Sequence, residues 1–256
     1  MSILHNLIQT MLTPLIAVPH SRSAFIRSLQ QATLRELPWL LWTEVRFDLS
    51  HYDNALFAQY SLNQPAHLHR AVGKRRGEYL ASRLAARTAL QCYGIADFFL
   101  ENDADRAPVW PQGIVGSLTH TATRAVILTA RADCRHHVGV DAENLLKASS
   151  AQELASMIVG ETEEALLQRC GMPWAVALTL AFSLKESLYK ALYPHLKQFM
   201  SFHSARVIEL NGETGHALLQ LTSTLDEDYP AGRVFRGYFV WQEEHVLTVV
   251  VNHSNP

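Results

Sequence analysis

Two apolar strand patterns, RAVILTA at 124–130 and HVGVDAE at 137–143, stand almost end to end in mid-chain, separated by the polar run 131–137. That juxtaposition constrains the fold most, because the elements on either side of it differ in period. Upstream, residues 65–93 carry the clearest helical pattern, opening near Pro65 and stopping at Gly94, a residue suited to a helix C-terminus. Downstream come two helical patterns, 150–169 and 174–193, around a break at Gly171 and Pro173. Four short apolar or alternating runs follow, at 206–210, 216–222, 234–241 and 246–252, the last two reading as a hairpin that turns at 242–245. The order helix, strands, helices, strands implies an α+β protein of two similar halves, 1–135 and 136–256, joined near 131–138. Residues 1–45 read as helical extensions interrupted by Pro14, Pro19 and Pro38, with a strand at 42–49.

Composition narrows the class. Apolar residues at 48% and charged residues at 18% describe a folded globular chain. A formal net charge of −2 gives no global attraction to nucleic acid or membrane, so anion affinity must come from a local basic cluster. The N-terminal stretch lacks a basic flank, and His5, Asn6, Gln9 and Thr10 interrupt it, so a signal peptide is not expected. No run approaches the roughly 18 apolar residues of a membrane-spanning helix. Cys92, Cys134 and Cys170 are odd in number and never spaced C-x-x-C, which fits a reducing, cytoplasmic setting rather than a disulfide framework or a zinc site.

Four constellations could carry chemistry. In V-G-V-D-A-E, strand alternation sends Val138, Val140 and Ala142 inward and gathers Gly139, Asp141 and Glu143 on the opposite face. Two carboxylates there repel unless a cation lies between them, although D-x-E is also common where a strand meets a polar turn. In F-S-L-K-E-S-L-Y-K, Leu184, Leu188, Ala191 and Leu192 form one apolar face, and Phe182, Glu186, Tyr189 and Lys190 project elsewhere. Glu186 and Lys190 are either a surface ion pair or a metal carboxylate with a phosphate-facing cation. The basic segment Lys74, Arg75, Arg76 continues to Arg83 and Arg87, and Arg76, Arg83 and Arg87 share one helical stripe. Guanidinium forks suit phosphate oxygens, but such a stripe is also an ordinary solvated face. Gly116-Ser117-Leu118-Thr119-His120 reads as a small-residue loop able to present hydroxyls and an imidazole to a phosphate.

The basic segment, then Pro108-Val109-Trp110-Pro111, the Gly116 to His120 run, Asp141-x-Glu143 and Lys185-Glu186-Ser187-x-x-x-Lys190 follow one another in an order that resembles the 4'-phosphopantetheinyl transferases. The likeness is nearest to their single-chain, pseudo-dimeric branch, which activates enterobactin and surfactin synthetases. It spans residues 73–190, and its D-x-E and K-E-S-x-x-x-K motifs are specific as a pair and weak singly.

The resemblance implies two related α+β halves in an intramolecular pseudo-dimer, with the active site in the cleft between them and no second subunit needed. It implies Asp141, Glu143 and Glu186 as Mg²⁺ ligands, and coenzyme A as co-substrate. Its phosphates would meet Lys74, Arg75, Arg76, Arg83, Ser117, Thr119, His120, Lys185 and Lys190. Glu186 and Lys190 would be catalytic, with Glu186, or a water it orients, taking the proton of a serine on an acyl or peptidyl carrier protein. The products would be holo carrier protein and 3',5'-ADP. Thr119 stands where the family often has serine, which keeps the hydroxyl. A silent coenzyme A-binding scaffold and a different Mg²⁺-dependent phosphotransferase are the competing readings, and a nucleic-acid binder is the weakest. No Gly-x4-Gly-Lys-Ser/Thr loop supports the phosphotransferase.

Overall fold

The computed structural model describes residue 13, residues 16–17, 23–132, 136–242 and 244–253. The segment 1–12 and Cys134 lie outside the described residues. The chain divides into two compact units that meet in sequence between Asp133 and Cys134.

The first unit is a five-stranded antiparallel sheet with one long helix against it. Its strands are β1 (Ile16–Ala17), β2 (Ile26–Leu34), β3 (Leu37–Phe47), β4 (Ile114–His120) and β5 (Arg124–Arg131), ordered β1-β2-β3-β5-β4. A short helix α1 (Ala55–Gln59) leads toward α2 (Gly73–Gln91), which lies across β3 and β5. Leu80, Ala81, Leu84 and Ala85 of α2 are buried against Leu29, Val45, Ala125 and Ile127 of the sheet. Past its end the chain turns at Gly94, whose φ of 78° is the left-handed conformation that glycine adopts without a Cβ clash.

Within the stretch 1–45 expected to be helical, the described residues from 26 onward form a β-hairpin with β3, while 1–12, Pro14 and Pro19 lie outside the described residues. Ile26, Leu29 and Ala32 are buried at intervals of three, a spacing helices also use, and the β2–β3 register shift between Ile26 and Ser28 accounts for the first of those intervals. A second shift falls between Thr33 and Leu34, beside Pro38, which has no ladder partner there. Its missing N–H therefore breaks no ladder bond.

The second unit repeats the plan with another chain order. β6 (His136–Asn144) is followed by α3 (Ala148–Ile158), α4 (Glu161–Leu167) and α5 (Trp174–Leu196), then β7 (Ala205–Asn211), β8 (His216–Leu221), β9 (Val234–Gln242) and β10 (His245–His253). The sheet order is β6-β10-β9-β8-β7, antiparallel throughout, and α5 lies against β6 and β10. Leu184, Leu188, Ala191 and Leu192 of α5 are buried, as their spacing predicts. The chain is therefore α+β, two α/β halves each built on its own sheet. Among the described residues no helix is long and apolar enough to cross a membrane.

Candidate functional site

In the second unit the chemistry depends on how closely α5 approaches β6. A Cβ on Gly139 would lie 1.7 Å from the backbone oxygen of Ser187, a distance no side chain tolerates, so only glycine permits this contact. The strand face of Gly139 and Asp141, expected to look away from the core, is the one that α5 covers. The reason is this close approach: α5 needs a strand face without a bulky residue, and the valines of β6 occupy the other face.

The approach delivers two partners to Asp141, which is buried. Lys190 donates to Asp141 Oδ1 at 2.6 Å and to the Val140 carbonyl at 3.3 Å, and Ser183 donates to Asp141 Oδ2 at 2.8 Å. Glu143 and Glu186 share the electrostatic field. Burial first, then Asp141 and Glu186, push the Glu143 carboxyl up from 4.5 to about 7 against the pull of Lys190. Burial also raises Glu186; Lys190 pulls it back and Asp141 adds to the rise. The structure thus brings Asp141, Glu143, Glu186 and Lys190 into one group. Among the described residues no three His, Cys, Asp or Glu side chains form a finished metal cage. The group offers hard oxygen donors with more negative charge than its local cation offsets, which is the donor chemistry of a divalent ion such as Mg²⁺.

Lys185 does not join this group, which corrects its expected place at a phosphate. Its ammonium is 1% exposed, bonded at 2.7 Å to Glu163 Oε2 and at 2.7 Å to the Ile158 carbonyl. One residue before Glu186 on a helix, it points about 100° away, into the core between α3, α4 and β7. Glu163 completes the arrangement by accepting from the Val207 amide at 2.8 Å.

The first unit holds the basic residues in looser geometry. Arg75 Nη1 is 3.4 Å from His120 Nε2, His120 Nδ1 is 3.9 Å from Glu78, and Lys74 is 4.0 Å from the same carboxylate. Burial raises the Glu78 carboxyl, with Lys74 and Arg75 opposing. Arg83 is buried, its guanidinium 4.2 Å from the Tyr79 ring centroid and 2.7 Å from Asn102 Oδ1. The Nε atoms of Arg76 and Arg83 are buried without a hydrogen-bond partner among the described residues. Tyr79 and Asn102, the two partners of Arg83, also line a cavity of about 570 Å³ that takes in Phe99, the cations Arg75 and Arg106 and the carboxylates Glu101 and Asp103. Its charged lining is mixed, so the volume by itself does not select an anion.

Ser117 and Thr119 do not meet these groups through a loop. The 114–120 segment is strand β4, paired with β5, and alternation buries Ser117 and Thr119 on one face while Gly116, Leu118 and His120 lie on the other. Gly116 is required because the Trp110 ring packs there, 2.7 Å from where a Cβ would sit. His120 alone of the three comes to Arg75 and Glu78.

Comparison with known proteins agrees with both halves. Residues 64–130 match the 4'-phosphopantetheinyl transferase N-terminal domain, and residues 137–250 match the 4'-phosphopantetheinyl transferase superfamily. The chain belongs to the 4'-phosphopantetheinyl transferases, a family of transferases that act on carrier proteins with coenzyme A. Its relatives include enterobactin synthase component D of Salmonella typhimurium, 33% identical over 80% of this chain and 85% of that protein. They also include the same component of Escherichia coli K12, 37% identical over 55% of this chain and 67% of that protein. The 4'-phosphopantetheinyl transferase PptT of Mycobacterium tuberculosis is 30% identical over 71% and 81% respectively.

Proposed function

We propose that this chain moves the 4'-phosphopantetheine arm of coenzyme A onto a carrier-protein serine in siderophore or other nonribosomal peptide assembly, in a Mg²⁺-dependent reaction. The observation that carries the reading is the α5–β6 contact at Gly139, which sets Lys190 against Asp141 beside two carboxylates of raised pKa.

In this reading Asp141, Glu143 and Glu186 would hold Mg²⁺, which when bound would offset the charge developing on the departing 3',5'-ADP. Lys190 holds a phosphate oxygen from the side of Asp141. Lys74, Arg75, Arg76, Arg83 and His120 take the remaining phosphates of coenzyme A, a reading supported by the two orphaned guanidinium Nε atoms. Glu186, or a water it orients, receives the proton of the attacking serine. Lys185 has no phosphate role in this mechanism, and Ser117 and Thr119 support β4.

Intact-protein mass spectrometry tests the reading. An apo carrier incubated with the enzyme, coenzyme A and Mg²⁺ gains the mass of one phosphopantetheine arm, and chelating Mg²⁺ prevents the gain. Glu186→Gln abolishes it; substantial transfer by that variant would remove Glu186 from the mechanism. Coenzyme A binding without transfer to any carrier would instead favour the scaffold reading.

A further inference from the structure

Behind Asp141 lies a chain of hydroxyls to which the reaction assigns no part. Thr248 of β10 stands opposite Asp141 in the β6–β10 ladder. Ser183, Ser187 and Thr248 are all 0% exposed. Ser187 Oγ lies 2.7 Å from Thr248 Oγ1, Thr248 Oγ1 lies 2.9 Å from Ser183 Oγ, and Ser183 Oγ lies 2.8 Å from Asp141 Oδ2.

Proton counting orients the chain. Each hydroxyl has one proton to give. That of Ser183 goes to the carboxylate, so its contact with Thr248 requires Thr248 to donate. Ser187 donates to the Thr248 carbonyl at 3.0 Å and packs its oxygen against Thr248 Oγ1. The O–H dipoles of Thr248 and Ser183 then both point toward Asp141, and aligned hydrogen bonds in a buried setting strengthen one another. The interior oxygen Oδ2 is tied to Ser183, which leaves Oδ1 turned toward Lys190 on the half-buried side.

We propose that Thr248 is a positioning residue for the proposed Mg²⁺ site: through Ser183 it fixes the torsion of the Asp141 carboxylate, and so the oxygen presented to the cation. The proposal rests on reading Asp141 as a cation ligand. Packing alone gives no reason for a hydroxyl at this position. Residue 248 lies among Val246, Leu247, Val249, Val250 and Val251, and valine has the shape of threonine.

The test is Mn²⁺ binding to the full-length protein with coenzyme A and no carrier, read from the electron paramagnetic resonance of free Mn²⁺. Thr248→Val keeps the side-chain shape and removes the middle link. It is expected to bind Mn²⁺ about 10-fold more weakly than the unaltered protein, the usual cost of losing a group that orients a metal ligand. Ser183→Ala, which removes the last link, should weaken binding equally, and Thr248→Ser, which restores the hydroxyl but not the methyl, should recover it. A merely structural role predicts the reverse pattern, with melting temperature tracking the lost methyl and Mn²⁺ affinity unmoved. Thr248→Val binding like the unaltered protein, or Thr248→Ser as weak as Thr248→Val, overturns the proposal. If Asp141→Asn binds Mn²⁺ undiminished, the reading of Asp141 as a ligand fails, and the proposal fails with it.

Discussion

Each unit has one long helix on a five-stranded antiparallel sheet, and each helix carries a glycine-dependent contact, yet the two contacts differ in kind. On α5 the obstacle to a Cβ at Gly139 is the backbone of Ser187, 1.7 Å away. On α2 the obstacle at Gly77 is the Leu49 Cδ2 methyl at 2.6 Å, the far end of a flexible side chain. The charged groups differ in the same sense. Around Asp141 the hydrogen bonds of Lys190 and Ser183 are 2.6 and 2.8 Å. Around Glu78 the His120 imidazole and the Lys74 ammonium stand 3.9 and 4.0 Å away. The second unit ties Asp141 into a tight internal network. The first sets Lys74 and His120 at longer range from Glu78, a spacing suited to groups whose partner is a mobile anion.

Substitutions sharpen this contrast. Gly139→Ala should have the largest effect, because α5 must leave β6 and carry Lys190 away from Asp141. We expect transfer to be lost and stability to fall by more than the ~1–3 kcal/mol of ordinary overpacking. Retention of both by Gly139→Ala would erase the distinction between the two glycines. Lys185→Met leaves Glu163 buried without its cation and should cost about 3 kcal/mol in chemical denaturation. The KM for coenzyme A should stay unchanged in the variant, whereas a phosphate role for Lys185 would raise it.

The pH dependence is a smaller effect with a definite sign. Glu143 titrates near 7 when folded against an ordinary 4.5, so the folded chain holds the proton more tightly than the unfolded one. Stability from this source is complete below 4.5 and is lost as pH rises through about 7. Melting temperatures of the metal-free protein should therefore fall across that window, and Glu143→Gln should flatten the fall. The smallest effect is expected at Gly77→Ala. The gain in helix propensity, about 1 kcal/mol, opposes the displacement of the Leu49 methyl and a small shift of the Tyr52 ring, so stability should change little and transfer should survive.

The long helices, the tail strands and the order of motifs were legible because each rests on a local period or a local spacing. The hairpin at 26–47 was not, since Ile26, Leu29 and Ala32 are buried at a helix-like interval that a register shift after Ile26 helps to create. The family resemblance grouped Asp141, Glu143, Glu186 and Lys190, which the structure sets near one another, but it also included Lys185, which α5 turns to Glu163 instead. Adjacent residues on a helix point in different directions, and which one meets a phosphate depends on what α5 packs against. Two signals were present and unread. An isolated glycine within an apolar strand, Gly139, marks a close backbone approach. A lone hydroxyl among aliphatic residues, Thr248, marks a buried partner.

The pair of Lys185 and Glu163 also shapes how this unit opens. Through the Ile158 carbonyl, the Glu163 carboxylate and the Val207 amide it fastens α3, α4 and β7 to α5 at one buried point. No one of these elements can peel away without exposing a charge, so fraying by parts is suppressed. The second unit should behave as a single cooperative block in native-state hydrogen exchange, with amides of α4 and β7 exchanging at the slow rate set by α5.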